Sequence, residues 1–185
     1  VKIEGVEHEF ATMKGISEDV VEIFLNLKQV RFKKIVDHEV ANEKIILSIR
    51  NRTEFTAGMI GESTHSFQIM NPDLLICTLD SSARMDVELT IGKGRGYVPA
   101  EDNKPKDAPL GYIPIDAIFT PIKNVKYTIE NTRVEQRTDF EKLIMEVSTD
   151  GTIHPEEAVK QASRILIQHL MIITDENITF DNKEE

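Results

Sequence analysis

The chain has 185 residues, 40% of them apolar and 29% charged, a mixture typical of one large globular domain or two small ones. Lys and Arg number 22 against 32 Asp and Glu, which gives a formal net charge of -10. Because binding to a phosphate backbone needs clustered cations, this composition argues against autonomous nucleic-acid binding. The single cysteine, Cys77, excludes an internal disulfide and lies in an apolar run, where we expect a small buried core residue.

No apolar run approaches the roughly 20 residues that a membrane-spanning helix needs, and residues 1–5 lack the features of a signal peptide. A lone cysteine in such a chain favours a reducing compartment, so the sequence predicts a cytoplasmic protein without membrane contact. The chain also starts with Val1 rather than Met and in strand-like sequence, which indicates a piece of a longer protein.

The first predicted helix covers about residues 17–28, with Ser17 as its N-cap. Its main apolar stripe consists of Ile16, Val20, Ile23, Phe24 and Leu27. Val21 and Leu25 widen the apolar arc toward Lys28, beyond what one packed face requires. Two interpretations stay open: the helix packs on two sides within its own domain, or it offers a second face to a partner, with Lys28 at the rim of that face.

Residues 43–91 consist of short β-type runs separated by turn residues, which predicts a mostly antiparallel sheet. The glycine-rich run 92–96 matches neither common phosphate-binding spacing, so we expect a bend or bulge there. Residues 101–109 are polar and contain two prolines, which predicts an exposed, mobile loop. Three further strands are expected, at 110–119, 125–130 and 140–148.

A last helix of about five turns is predicted after Pro155, a residue suited to the first helical position, followed by two carboxylates that the helix dipole favours. Its apolar arc contains Ala158, Ala162, Ile165, Leu166, Ile172 and Ile173. His169 falls inside this arc, so a core or interface histidine is expected rather than a ligand or a base. A polar tail at 176–185 completes the chain.

Residues 133–139 alternate in a way that, if extended, places Arg133, Glu135 and Arg137 on one face as a ladder of mixed charge. A solvated strand edge and a row that pairs with a partner both account for it.

No catalytic, cofactor or metal site is predicted. The five histidines show no ligand spacing, and no serine has the context of an activated nucleophile. The sequence pattern also lacks an acidic cluster suited to holding catalytic metal ions. A hydrolase with an undetected site remains an alternative that a deep pocket with convergent polar groups would support. An unrelated β-rich interaction domain is the third reading.

Several stretches carry specific motifs, in this order: 8–10, 18–20, 25–28, Gly94-Arg95-Gly96-Tyr97-Val98-Pro99, Arg133-Val134-Glu135-Gln136-Arg137-Thr138-Asp139, 151–153 and 155–158. Together they make the chain resemble the amino-terminal domain of the bacterial RNA polymerase α subunit, from about residue 3 to residue 173. The resemblance implies an α+β fold: a mostly antiparallel β insert subdomain at 1–120, then part of a mixed α/β dimerisation subdomain with a long helix at 121–175. The first half of that subdomain and the DNA-binding carboxy-terminal domain have no counterpart here.

The resemblance also implies a non-catalytic subunit that dimerises and scaffolds the assembly of β and β′, with no cofactor and no direct nucleic-acid contact by this piece. Family positions for β contact match Glu22 and Lys28, and the wide apolar arc adds Val21 and Leu25. Family positions for β′ contact match Ile115, Ile122 and Lys142, with Arg133 in the neighbouring motif. The dimer interface falls on Ala162, Ile165, Leu166, His169 and Ile173. An acidic activator patch of some family members is not expected here, because residues 104–107 largely reverse its charge.

Overall fold

The computed structural model describes residues 1–36, 42–105, 107–134 and 137–174. These residues fall into two compact units, Val1–Pro121 and a second unit that begins at Ile122. Every strand pair in the described residues is antiparallel, and helices are few. The fold is therefore α+β and mostly antiparallel, which confirms the predicted fold class.

The described residues of the first unit form nine strands and two short helices. The strands are β1 (Lys2–Ile3), β2 (Phe32–Lys34), β3 (Asn42–Arg50), β4 (Glu54–Thr56), β5 (Phe67–Ile69), β6 (Leu75–Thr78), β7 (Arg84–Gly92), β8 (Tyr97–Val98) and β9 (Ala117–Ile118). The largest sheet has the order β1-β7-β3, and β2–β5, β4–β6 and β8–β9 form two-stranded ladders. The predicted sheet at 43–91 is thus confirmed.

The core of this unit rests on the alternation of β3 and β7. Leu47 lies directly opposite Val87, and both are buried. Because cross-strand partners share a face of the sheet, the neighbours two residues away are buried too. These neighbours are Ile45, Ile49, Met85 and Leu89, and Ile91 continues the same face of β7 two residues beyond Leu89. One face of the sheet therefore supplies a continuous apolar layer.

Helix α1 (Val20–Leu27) begins later than predicted, because Asp19 rather than Ser17 is its N-cap. The Asp19 carboxylate accepts a hydrogen bond from the backbone N–H of Glu22 at 2.7 Å, and the Glu22 side chain accepts one from the backbone N–H of Asp19 at 3.3 Å. This reciprocal capping box satisfies two donors at the helix start. The sequence placed the N-cap at Ser17, whereas the backbone conformation selects Asp19.

Polar contacts anchor α1 to β6. The carboxylate of Glu18 accepts hydrogen bonds from the backbone N–H of Thr78 at 2.7 Å and from its hydroxyl at 3.1 Å. The side-chain amide of Asn26 donates to the carbonyl of Ile76 at 2.9 Å. Between these anchors the helix buries Val20, Ile23, Phe24 and Leu27. The orientation of α1 on the sheet is consequently set at both of its ends.

A second helix, α2 (Ala57–Glu62), was not predicted. Its two glycines lower helix propensity, so the local signal is weak. A Cβ on Gly58 would lie 3.3 Å from the carbonyl oxygen of Pro72, and one on Gly61 would lie 3.0 Å from Ile69. Close packing of the backbone explains both glycines and stabilises a helix whose sequence does not favour it.

The glycine-rich run is a bend, as predicted: Gly96 has a φ of +68°, and a Cβ on Gly94 would lie 2.5 Å from the ring of Phe119. The strand predicted at 110–119 is wrong over most of its length, since only β9 is extended there. Gly111 adopts a φ of +78° and Pro114 has no N–H to donate, so a continuous strand cannot form.

The second unit begins with a long hairpin, β10 (Ile122–Val134) and β11 (Arg137–Thr149), which contains the strands predicted at 125–130 and 140–148. Val134 pairs with Arg137, so the chain reverses inside the 133–139 motif. Arg133 and Arg137 belong to different strands, and the predicted single ladder of charges is wrong. Glu135 lies outside the described residues.

Helix α3 (Pro155–Leu170) follows, with Pro155 at its first position as predicted. Its 16 residues make about four and a half turns, and Met171 is the C-cap. Ile172 and Ile173 therefore lie beyond the helix in which they were predicted. No residue of α3 is buried. Across the described ranges, no helix is long and apolar enough to cross a membrane; the predicted tail at 176–185 lies outside them.

Candidate functional site: surfaces for assembly

The outer face of α1 is exposed, although its inner face lies in the core. Leu25 is 51% exposed, and Val21 and Glu22 are exposed beside it. The first interpretation of the wide apolar arc, packing on two sides within the same unit, is therefore wrong. The arc instead leaves apolar side chains exposed to water. Burying them against a partner protein would be favourable.

Lys28, the C-cap of α1, is part of an internal network rather than a free charge at a rim. Its Nζ lies 2.8 Å from Oδ2 of Asp116, and the two side chains are only 25% and 31% exposed. The phenol of Tyr97 lies near the same carboxylate and also lowers its pKa, though less than Lys28 does. The hydrogen bond from Lys28 is the largest cause that lowers the pKa of Asp116, so this carboxylate is ionised at neutral pH.

The predicted β′ position Ile115 lies next to Asp116 in the chain and packs against the core of the first unit. Its carbonyl accepts a hydrogen bond from the side-chain amide of Asn103 at 3.0 Å. The structure therefore brings Ile115 and Lys28 together through Asp116, although the resemblance assigns these two positions to different partners.

The other predicted β′ positions are spread along the hairpin of the second unit. Ile122 begins β10, and Arg133 follows eleven residues later, about 35 Å away at the rise of an extended strand. Lys142 lies on β11 directly opposite Glu130. The structure does not gather these three residues into one site.

An apolar face of the same hairpin was missed by sequence reasoning. Tyr127 pairs with Met145 and Ile129 pairs with Leu143, and all four side chains are exposed. Charged pairs such as Lys126 and Glu146 occupy the opposite face. The signal was present in the alternation of β11, but only the register shows that β10 presents its apolar residues on the same side.

The predicted dimer residues of α3 are all exposed: Ala162, Ile165, Leu166, His169 and, beyond the helix, Ile173. Leu166 is 65% exposed. Nδ1 of His169 lies 2.8 Å from the carbonyl oxygen of Ile165, which can only accept, so Nδ1 donates the proton. A core position for His169 is excluded, while the interface position stays a prediction.

Nothing in the described part of the chain resembles a catalytic centre. No group of three or more His, Cys, Asp or Glu residues there is arranged to hold a metal ion. A shallow, open depression of about 210 Å³ is lined mainly by residues 2–7, Leu110 and Gly111. Cys77 is buried as predicted, and desolvation, with a smaller contribution from the charge of Glu18, raises the pKa of its thiol to about 12. A thiol of this kind is a poor nucleophile.

Residues 1–120 match the family described as the RNA polymerase Rpb3/RpoA insert domain. The match covers more than half of the chain and the strands and helices that form the first unit. The chain therefore belongs to this family.

Relatives extend the similarity through the second unit. The chain is 61% identical over 181 residues to the DNA-directed RNA polymerase subunit alpha of Cytophaga hutchinsonii, which covers 98% of this chain and 54% of that protein. It is 54% identical to the same subunit of Phocaeicola vulgatus, over 100% of this chain and 56% of that protein. For Chloroherpeton thalassium the identity is 50%, over 94% and 52%. The chain thus spans about half the length of these relatives.

Proposed function

We propose that this chain is the scaffold-forming part of the α subunit of a bacterial DNA-directed RNA polymerase, which dimerises and assembles the β and β′ subunits for transcription in the cytoplasm. The observation that carries the proposal is the 61% identity to such a subunit across 98% of the chain. A sequence match of this extent includes both compact units, so it supports a shared architecture as well as a shared role.

The distribution of exposed apolar side chains supports a scaffold. Soluble monomers rarely leave extended apolar faces in water, and such faces usually mark surfaces for other proteins. The described residues include three of them: the outer face of α1, one face of the β10–β11 hairpin, and α3. A subunit that binds another copy of itself and two larger subunits requires several separate surfaces of this kind.

The surfaces are assigned from the positions that the resemblance marks and, on α1, from the wide apolar arc as well. The β surface contains Glu22 and Lys28 from the resemblance, and the arc adds Val21 and Leu25. Ile115, Ile122, Arg133 and Lys142 mark the β′ side. Ala162, Ile165, Leu166, His169 and Ile173 mark the dimer interface, where an exposed apolar helix is the expected form of an unassembled dimer element.

We propose no catalytic step, cofactor or direct nucleic-acid contact for this part of the subunit. Its net charge of -10 disfavours a phosphate backbone. Its raised thiol pKa and shallow depression give no support to the alternative of a hydrolase. Polymerisation chemistry consequently belongs to the subunits that α brings together.

Co-expression tests the proposal. A tagged full-length α subunit containing this sequence is co-expressed with β and β′, and the captured proteins are quantified after a wash at moderate salt. We expect α to be recovered as a dimer with both large subunits. A test variant is Leu166→Glu, which adds a charge to α3 and should reduce the dimer first. Recovery of a monomeric α subunit without β or β′ would contradict the proposal.

A further inference from the structure

A small polar network connects the end of α1 to the β8–β9 ladder. Lys28 caps the helix, Asp116 directly precedes β9, and Tyr97 begins β8. The Asp116 carboxylate accepts a hydrogen bond from Lys28 at 2.8 Å, and the phenol of Tyr97 lies near the same carboxylate. The residues come from three separate stretches of the chain. The network therefore connects α1 with the β8–β9 ladder, although the two are far apart in sequence.

Exposed apolar side chains flank this network on both sides. Leu25 lies one helical turn before Lys28, where side chains three residues apart are neighbours. Ile118 lies directly opposite Tyr97 in the β8–β9 ladder, so the two share a face. Leu25, Tyr97 and Ile118 are all exposed. We call these three residues the α1–β9 patch.

The charges of the network are turned inward. The Lys28 and Asp116 side chains are each more than two thirds covered, and the ammonium group already has a carboxylate at hydrogen-bond distance. One of the three N–H donors of this ammonium group is engaged by Asp116, whose negative charge offsets that of the lysine. A direct contact through Lys28 would therefore draw on a charge that is already paired, and it would add little affinity.

We propose that Lys28 and Asp116 are positioning residues for the binding of β: their ion pair keeps the β8–β9 ladder against the end of α1, so that the α1–β9 patch is one preorganised surface. Preorganisation raises affinity because the cost of ordering the surface is met before the partner arrives. The inference rests on the proposed function and changes the role of Lys28 from a contact to a support.

Charge reversal and charge exchange separate the two roles. In the full-length subunit, Lys28→Glu and Asp116→Lys each place like charges together, while the double variant Lys28→Glu/Asp116→Lys restores an ion pair with opposite polarity. Each single change should weaken capture of β about fivefold, and the double variant should return it to within about twofold of wild type. Lys44→Glu is the matched control for Lys28→Glu, because it reverses an ion-paired lysine on the outer sheet face with the same change in net charge. Its capture of β should be unchanged.

Hydrogen exchange supplies a readout independent of β. The backbone N–H of Phe119 donates to the carbonyl of Gly96 at 2.8 Å and closes the β8–β9 ladder. Exchange at this amide should accelerate in both single variants and recover in the double variant. If a single reversal prevents folding, Lys28→Met, which removes the charge but keeps the stem, takes its place and should accelerate the same amide.

Failure of the double variant to restore capture would show that the charge of Lys28 itself touches β, and the positioning role would be wrong. Unchanged capture in both single variants would equally overturn it. A wild-type subunit that captures no β would instead contradict the proposed function, and exchange at Phe119 would still decide whether the ion pair supports the ladder.

Discussion

Substitutions of two leucines on α1 should distinguish a loss of binding from a loss of folding stability. Leu25 is 51% exposed and Leu27 is 7% exposed, yet they are only two residues apart on the same helix. Leu25→Ala removes a side chain that is half in solvent, which should lower the free energy of unfolding by about 1 kcal/mol or less. Leu27→Ala opens a cavity in the core and should cost about 2–5 kcal/mol.

If the outer face of α1 contacts β, Leu25→Ala should affect binding much more than it affects stability. Leu25→Ala should weaken capture of β about tenfold, equivalent to roughly 1.4 kcal/mol, because an apolar anchor leaves the interface. Its melting temperature should stay within a few degrees of wild type, whereas Leu27→Ala should lower it by at least about 4 °C.

Capture is measured with full-length subunits at a temperature at which both variants remain folded, alongside thermal unfolding of each. If Leu25→Ala captures β as well as wild type does, the outer face of α1 is not the β surface. If Leu25→Ala lowers the melting temperature as much as Leu27→Ala does, the separation of the two faces of the helix is itself wrong.

Three further predictions concern other parts of the chain. The thiol of Cys77 should resist alkylation by iodoacetamide at pH 8 and react only after denaturation in urea; because burial raises its pKa to about 12, its ionisation favours the unfolded state as pH rises above about 9, and rapid labelling of the folded protein would contradict its burial. Leu166→Glu should weaken self-association about tenfold in sedimentation equilibrium, whereas Gln168→Glu, which adds the same charge at another exposed position of α3, should change it little. Limited proteolysis should cut the 101–109 loop without loss of fold, and Asn103→Ala, which removes the hydrogen bond to the carbonyl of Ile115, should speed that cleavage about threefold; equal rates would show that this amide does not restrain the loop.

Apolar residues that repeat every two positions in strands and every 3.6 positions in helices predicted most of the regular secondary structure. The strands around Leu47 and Val87 and the helix after Pro155 are all recognisable from which residues are apolar, because burial of one face repeats with the geometry of the backbone. The same reasoning failed for α2, whose glycines weaken the local signal, and for residues 110–119, where Gly111 and Pro114 interrupt an otherwise apolar run.

The sequence by itself determined the family, the fold class and the existence of an apolar excess on α1 and α3, since these depend on residue order and composition along one segment at a time. Only the tertiary structure decided whether these extra apolar residues are buried or exposed. It showed that Leu25 faces solvent, that Tyr127 and Met145 share an exposed face, and that Lys28 is paired with Asp116, 88 residues away. Each of these facts depends on contacts between distant segments, and a contact of that kind leaves no periodic trace in either segment alone.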